Sequence, residues 1–417
     1  MALGIGDFRA VRSLSRDGKL LFATRCLRLF GYGMMSFVLV LYLIELGVSE
    51  KGIGLLISLT LIGDTAISLW ITTRADRMGR RRMLMMGAVL MILAGLIFGI
   101  TDHYWLLLFA AIIGVISPSG NEVGPFLSIE QASLSHIVPD RDRTAVFAWY
   151  NLMGSLSTAT GALVGGKVVT LLPKRGWSEL QSYQCVVFGY AALGILLVIL
   201  FLLVTPKVEC PSDQRTTAPM QLGLRKSKKV VFKLSSLFAL DAFGGGFILQ
   251  SFVVYWFVVR FQADKETLGK VFFCANILAG VSALTAVALA RRIGLITTMV
   301  VTHIPSNLLL ILIPLMPNLP LAITVLLLRF SISQMDVPTR QSYTMAVVDP
   351  DERSAAAGIT NVTRSAGAAI SPSLVGMMQA MPSLFSAPFY LAGGLKIVYD
   401  LLLWRSFRAV RPPEEGG

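Results

Sequence analysis

Arg25, Arg28, Asp64, Glu122, Glu130, Asp241, Arg329, Asp336, Arg340 and Arg364 all stand inside long apolar stretches of a 417-residue chain. In such a setting a carboxyl can take up and release a proton, and a guanidinium can hold an anion through paired hydrogen bonds. Together the two make an ion pair that can be broken. Arg329, Asp336 and Arg340 fall at i, i+7 and i+11, on one helical face. Asp336 and Arg340 are a turn apart and should pair, which leaves Arg329 to meet a substrate anion. Asn361 and Arg364 share a face at i+3. Arg364 is a second candidate anion contact, with helix anchoring as its competing role.

The stretch GVISPSGNEVGPFLSIEQ (114–131) is the least expected of these settings. It places Pro118, Gly120, Gly124 and Pro125, all helix breakers, beside Asn121, Glu122 and Glu130. An ionised side chain at mid-membrane costs roughly 2.5–3.5 kcal/mol, so such groups face a cavity or a partner. Unwound backbone at membrane depth is likewise tolerated only where it is buried in protein or lines a cavity. The stretch is expected to unwind near the bilayer midplane and to place Asn121 and Glu122 in a substrate or proton site. The competing reading is a structural kink with Glu122 bonded to a neighbouring helix.

The elements that position these groups follow from composition. The chain is 54% hydrophobic and 15% charged, with a mean hydropathy of +0.69, whereas soluble domains carry about 25% charged residues. Apolar blocks separated by short polar gaps predict an all-α membrane protein with twelve transmembrane helices. The predicted spans are 20–46, 52–73, 81–101, 104–138, 142–171, 182–205, 234–260, 265–289, 292–316, 319–347, 353–380 and 383–404. The N-terminus is too polar to read as a signal peptide. A polar stretch, 206–233, divides the chain into an N-terminal six-helix bundle (1–205) and a C-terminal bundle with its tail (234–417), and reads as a cytoplasmic linker.

With both termini inside, the cytoplasmic segments hold 24 of the 37 basic residues. The outside loops hold Lys51, Lys174, Arg175, Arg260, Lys265 and Lys270, so the asymmetry sets the orientation. The net charge of +13 is then a membrane-surface feature, directed at anionic lipids. Nucleic acid is not needed to explain it.

The halves repeat weakly. At an offset of 210, DRTAVFAWYNLMG (142–154) lies over ERSAAAGITNVTR (352–364), matching Arg143 with Arg353 and Asn151 with Asn361. At an offset of 213, FGYGMMSFVLVLY (30–42) lies over FGGGFILQSFVVY (243–255). Repeated halves are the architecture of alternating-access transporters. RADRMGRRRML (74–84) resembles the signature G-x-L-a-D-R-x-G-R-R/K of the major facilitator superfamily, with Thr72 and Arg74 in place of its Gly and Leu. A degraded copy, ARRIG (290–294), stands at the corresponding place of the second half.

The resemblance implies two pseudo-symmetric six-helix bundles and a central cavity lined by helices 1, 4, 7 and 10, which carry most of the intramembrane charges. It also implies a conformational latch at Asp76, Arg77, Gly79 and Arg80. GSLSTATGALVGG (154–166) resembles the Gly-rich motif of the superfamily's antiporters, with plain helix packing as the competing reading. Arg28 and Asp241 occupy equivalent depths of helices 1 and 7, and are expected to form a gate between the halves, unless each pairs within its own.

The expected function is secondary active transport of a small polar or charged solute or ion by alternating access. Protons are the expected coupling ion, carried by Glu122, Glu130, Asp64 or Asp241, with a lean to export. The alternatives are an uptake symporter for an organic anion and a non-transporting membrane sensor. The expected setting is the cell membrane, as a monomer among lipids. No cofactor or metal is expected: Cys26, Cys185, Cys210 and Cys274 are scattered, His303 is lone, and no nucleophile–base pair or phosphate-binding glycine loop suggests an enzyme.

Overall fold

A computed structural model describes residues 12, 14–122, 124–209, 226–349 and 352–408, without the side chains at 76, 77, 140–145, 287 and 353–355. The first half contains α1 (Arg16–Glu45), α2 (Glu50–Met78), α3 (Arg80–Ile100), α4 (Tyr104–Ile113), α5 (Phe126–Ile137), α6 (Asp140–Leu171) and α7 (Glu179–Leu203). The second contains α8 (Lys228–Gly246), α9 (Gln250–Phe261), α10 (Lys265–Ile293), α11 (Leu295–Leu312), α12 (Leu319–Phe330), α13 (Asp336–Ala346), α14 (Arg353–Gln379) and α15 (Ala387–Phe407).

These helices make twelve spans, because three spans are each built from two helices. Span 4 breaks between α4 and α5, as its glycines and prolines predict. Spans 7 and 10, expected as continuous helices over 234–260 and 319–347, also break, at 247–249 and 331–335. The cause in span 7 is the run Gly244-Gly245-Gly246, since each glycine costs about 1 kcal/mol in a helix. In span 10 the polar, β-branched sequence Ser331-Ile332-Ser333 ends α12. Span 1 stays whole, and Gly31 to Leu43 are buried without interruption, as befits a helix apolar on every side. The outward faces are apolar too: Ile195, Ile199 and Leu202 of α7 are exposed and suited to lipid.

Eight helical stretches are long and apolar enough to cross a membrane, and Tyr104–Ile113 and Leu319–Phe330 are shorter apolar helices. The remaining spans are α14, of 27 residues, and α15, of 21. Both are long enough at 1.5 Å per residue, but they carry Arg364 and the pair Lys396 and Asp400.

The chain folds into two compact units. One comprises Met1–Val48, Ile62–Thr217 and Ala263–Phe273, and the other Ser49–Leu61, Ala218–Gln262 and Cys274–Gly417. They follow the sequence halves except for the two short segments Ser49–Leu61 and Ala263–Phe273. Inside the first unit α1 packs on α6 and α7, and α3 on α7; inside the second α8 packs on α14 and α15, and α11 on α15.

The repeat is visible at atomic scale. A Cβ on Gly33 would stand 2.1 Å from the Thr158 carbonyl oxygen, and one on Gly246 would stand 2.5 Å from the Ala368 carbonyl oxygen. These pairs are related by the offsets of 213 and 210 that align the halves. The Gly-rich run of α6 has the same use, because a Cβ on Gly161 would lie 2.0 Å from the Phe30 carbonyl oxygen. Gly161→Leu is therefore expected to separate α1 from α6 and to cost about 3 kcal/mol or more. Thermal unfolding of the purified protein measures it, and unchanged stability would refute the close packing.

Candidate functional site

The unwound residues 114–122 and 124–125 of the first unit are held by side chains that satisfy backbone groups. Gly120 and Gly124 adopt φ of 74° and 79°, values costly for residues with a Cβ. Thr158 Oγ1 donates to the Gly120 carbonyl at 3.2 Å, Ser117 Oγ to the Asn121 carbonyl at 2.7 Å, and the Tyr190 hydroxyl to the Val115 carbonyl. Asp64, on α2, accepts from the Gly124 amide and from Ser68 Oγ at 3.5 Å. Among the described residues no basic side chain is bonded to Asp64.

Held in this way, the segment presents Glu122 to two arginines of α1. Arg25 Nη1 is 2.9 Å from Glu122 Oε2, and Arg28 Nε donates to Glu122 Oε1 at 2.8 Å. Arg28 also holds Glu130 of α5 through both terminal nitrogens, at 2.9 and 2.8 Å. Thr24 Oγ1, at 2.8 Å, and the Tyr150 hydroxyl complete the Glu130 carboxylate. The guanidinium of Arg25 lies 4.3 Å from the centre of the Tyr150 ring and reaches Asn151 Oδ1 at 3.2 Å, but its Nε has no partner among the described residues. The two glutamates therefore differ: the Glu130 side chain is 0% exposed and Glu122 13%. The Asn121 side chain is exposed and lies outside this bonded cluster.

The second unit holds a second cluster. Asp241 of α8 receives Arg340 Nη1 of α13 on Oδ2 at 3.0 Å and Lys396 Nζ of α15 on Oδ1 at 2.6 Å. Arg340 bonds Asp336 at 2.9 Å, which is the expected i+4 pair. His303 of α11 sets Nδ1 2.8 Å from Asp400 Oδ1, and Asn307 donates to the other oxygen at 3.2 Å. Arg329 closes α12 just before the break of span 10, and Arg364 lies on α14. Each keeps a buried Nε with no partner among the described residues. Asn361 is exposed on α14.

Arg28 and Asp241, expected either to gate the halves or to pair within their own, each have partners inside their own unit. Arg28 is bonded to two glutamates of its own unit, and Asp241 to two cations of its own. Sequence reasoning missed Lys396, Asp400 and the contact of His303 with Asp400. The signal was present: Lys396 and Asp400 are charges at i and i+4 inside span 12. The superfamily resemblance gives them no place on the path, since it lines the cavity with helices 1, 4, 7 and 10.

Known proteins give these clusters a family setting. A sequence model of the Major Facilitator Superfamily matches residues 21–372 and 261–417. The chain belongs to the Major Facilitator Superfamily. An uncharacterized membrane protein of Saccharomyces cerevisiae is 33% identical over 97% of this chain and 96% of its own length. Quinolone resistance protein NorA of Staphylococcus aureus is 23% identical over 51% of this chain and 53% of its own. In fold, the chain is similar to the nucleoside transporter NupG, with a TM-score of 0.73 at 15% identity over 94% of this chain and 100% of the other. The protein is thus a multi-pass membrane protein and a secondary transporter of this superfamily.

The superfamily's loop between spans 2 and 3 has its own chemistry here. The side chains of Asp76 and Arg77 lie outside the described residues. Gly79 is the N-cap of α3. The amides of Arg80 and Arg81 donate to the two oxygens of Glu209 at 2.6 and 3.1 Å, a carboxylate on the positive end of a helix. Arg80 Nη1 bonds the Val208 carbonyl at 3.2 Å, and Arg81 bonds the Phe201 and Leu202 carbonyls at 3.0 and 2.7 Å, at the end of α7. Arg81 thus ties the start of α3 to the end of α7.

Proposed function

We propose that the protein moves a small anionic solute, a carboxylate or phosphate compound, by alternating access coupled to protons. The observation that carries this reading is the state of the arginines. Arg329 and Arg364 each bury a guanidinium N–H without an acceptor among the described residues. Arg25 and Arg28 are held by Glu122, a carboxylate on unwound backbone and the more exposed of their two acidic partners. A buried donor without an acceptor costs about 1–3 kcal/mol, more when it is charged. A ligand that brings oxygen acceptors relieves that cost, and guanidinium suits carboxylate and phosphate because it bonds them in pairs.

Glu122 then acts as a tethered stand-in for the substrate's anionic group. Substrate and Glu122 compete for Arg25 and Arg28, and a proton on Glu122 settles the competition for the substrate. Asp64 is the second proton carrier of the reading, because protonation removes the cost of burying a carboxylate that lacks a basic partner. Asp76, Arg77, Gly79 and Arg80 serve as the cytoplasmic latch, in a monomer of the cell membrane with both termini inside. Export is the favoured direction, supported by the likeness of half the chain to a drug-resistance protein.

The test is a thermal-shift screen of the purified protein against carboxylates, inorganic phosphate, sulfate, cations and neutral sugars. Anions are expected to raise the melting temperature of the wild type, and Arg329→Ala to weaken that response at least tenfold in half-saturating concentration. Stabilisation by cations or neutral compounds alone would overturn the anion reading.

A further inference from the structure

We propose that Gly154 of α6 is a positioning residue, whose missing side chain makes the seat of the Arg25 guanidinium. The use of that seat in anion binding rests on the transport reading above, but the seat itself does not. A Cβ on Gly154 would stand 2.7 Å from Arg25 Nε and 3.3 Å from its Cζ. The guanidinium thus lies against bare backbone of α6, which accounts for the one Arg25 nitrogen without a partner among the described residues. With Nε turned to Gly154, Nη1 reaches Glu122 at 2.9 Å and Nη2 reaches Asn151 Oδ1 at 3.2 Å. The Tyr150 ring centre is 4.3 Å from Cζ. Tyr150 and Asn151 precede Gly154 by four and three residues, so the three adjoin on one face of α6. That face fixes the orientation in which Arg25 meets Glu122.

Gly154 differs from the glycines that bring the helices together. At Gly33 and Gly161 a Cβ would strike a backbone carbonyl oxygen, at 2.1 and 2.0 Å, and a carbonyl retreats only with its helix. At Gly154 the nearest atoms are Leu29 Cδ1, at 2.5 Å, and Arg25 Nε, both on flexible side chains. A methyl group there displaces side chains and leaves the two backbones in place. The contact with Nε must open from 2.7 Å to the 3.4 Å or more of ordinary packing. Because Asn151 is on the same helix, a guanidinium lifted off Gly154 is lifted off Asn151 too, and a bond of 3.2 Å has little length to spare.

The second unit has the same arrangement with the residues exchanged. The offsets of 213 and 210 carry Arg28 onto Asp241 and Glu130 onto Arg340. Both pairs are bonded, at 2.8 and 3.0 Å, so one ion pair occurs twice with its charges reversed, and the alignment holds in space. At these offsets Arg25 falls on Phe238 and Gly154 on Arg364. The helices concerned pack together in each unit, α1 on α6 and α8 on α14. Each unit thus takes one arginine from this pair of positions, on span 1 in the first and on span 11 in the second. Phe238 is buried in an apolar cluster with Met299 and Tyr399. Arg364, like Arg25, buries an Nε without a partner among the described residues. Glycine at 154 is the condition for the guanidinium to come from span 1.

The experiment is NMR of the full-length protein in detergent with ¹⁵N at arginine Nε, first without solute. Arg25→Met identifies the Arg25 Nε–H signal, and Arg28, which Glu122 and Glu130 hold on the same helix, is the internal reference. Gly154→Ala is expected to speed solvent exchange of the Arg25 Nε–H about tenfold and to leave that of Arg28 unchanged. Acceleration of Arg25 below about threefold, or an equal acceleration of both arginines, overturns the seat and leaves Gly154 a packing residue. If Gly154→Ala fails to fold, its combination with Leu29→Ala, which removes the other clash, takes its place. The second measurement is half-saturation of thermal stabilisation by inorganic phosphate and by succinate. Gly154→Ala is expected to raise it about tenfold, the effect of losing one charged hydrogen bond, and by less than about twofold beside Arg25→Met. Equal rises in both backgrounds overturn the positioning role. If neither anion stabilises the wild type, the anion reading fails by itself, and exchange at Arg25 still decides the seat.

Discussion

Replacing Glu130 with alanine is expected to cost about 3–5 kcal/mol of stability, the range for breaking a buried ion pair by removing one partner. Arg28 and Glu130 both have side chains that are 0% exposed. The Glu130 carboxylate also anchors Thr24 of α1 and Tyr150 of α6, so its loss strands donors on two helices. Arg28 would keep only Glu122, on the unwound segment. The measurement is thermal unfolding of the detergent-purified variant, with folded yield read by gel filtration. The double variant Arg28→Met with Glu130→Met should recover most of the loss, because removing both charges also removes the cost of burying them. A single variant within about 1 kcal/mol of the wild type would show that Glu130 is not the structural member of the pair.

The first half was legible because its signals are local. Gly120, Gly124 and Pro125 announce a break whatever surrounds them, and the structure places one there. The breaks of spans 7 and 10 were harder to see. Gly244-Gly245-Gly246 adjoins a strongly apolar stretch, Phe252 to Phe257, whose hydrophobicity carries a predicted helix across the gap. Partners of charged residues depend on tertiary placement, and sequence spacing settles only those a turn apart. The Asp336–Arg340 pair was therefore readable, while the three contacts of Asp241 were not. Its partners Arg340, Lys396 and His303 come from three different helices. His303 looked isolated because its acids are 62 residues before it and 97 after it, a separation only the fold can close. Glu209, which closes the start of α3, was hidden for the same reason.

Glu122→Gln should separate proton coupling from the fold, in contrast to Glu130. The amide keeps the size and an acceptor oxygen, and the neighbours are provided for: Arg28 retains both bonds to Glu130, and Arg25 retains Asn151 and the Tyr150 ring. The stability cost is expected to be about 1 kcal/mol, that of exchanging a charged hydrogen bond for a neutral one. Transport should change far more. An amide cannot carry a proton, so accumulation of the anion against its gradient, driven by a pH difference across proteoliposomes, is expected to fall at least about 100-fold, the low end for a positioned acid–base group. Exchange of labelled for unlabelled anion needs no net proton movement and should persist. Half-saturation should occur at lower anion concentration, since the tethered competitor has lost its charge. Equal loss of exchange and accumulation would make Glu122 a substrate contact alone, and retention of both would move the coupling proton to Asp64 or to the second unit. The sensor alternative fares differently again: it predicts no exchange in the wild type, whatever stands at 122.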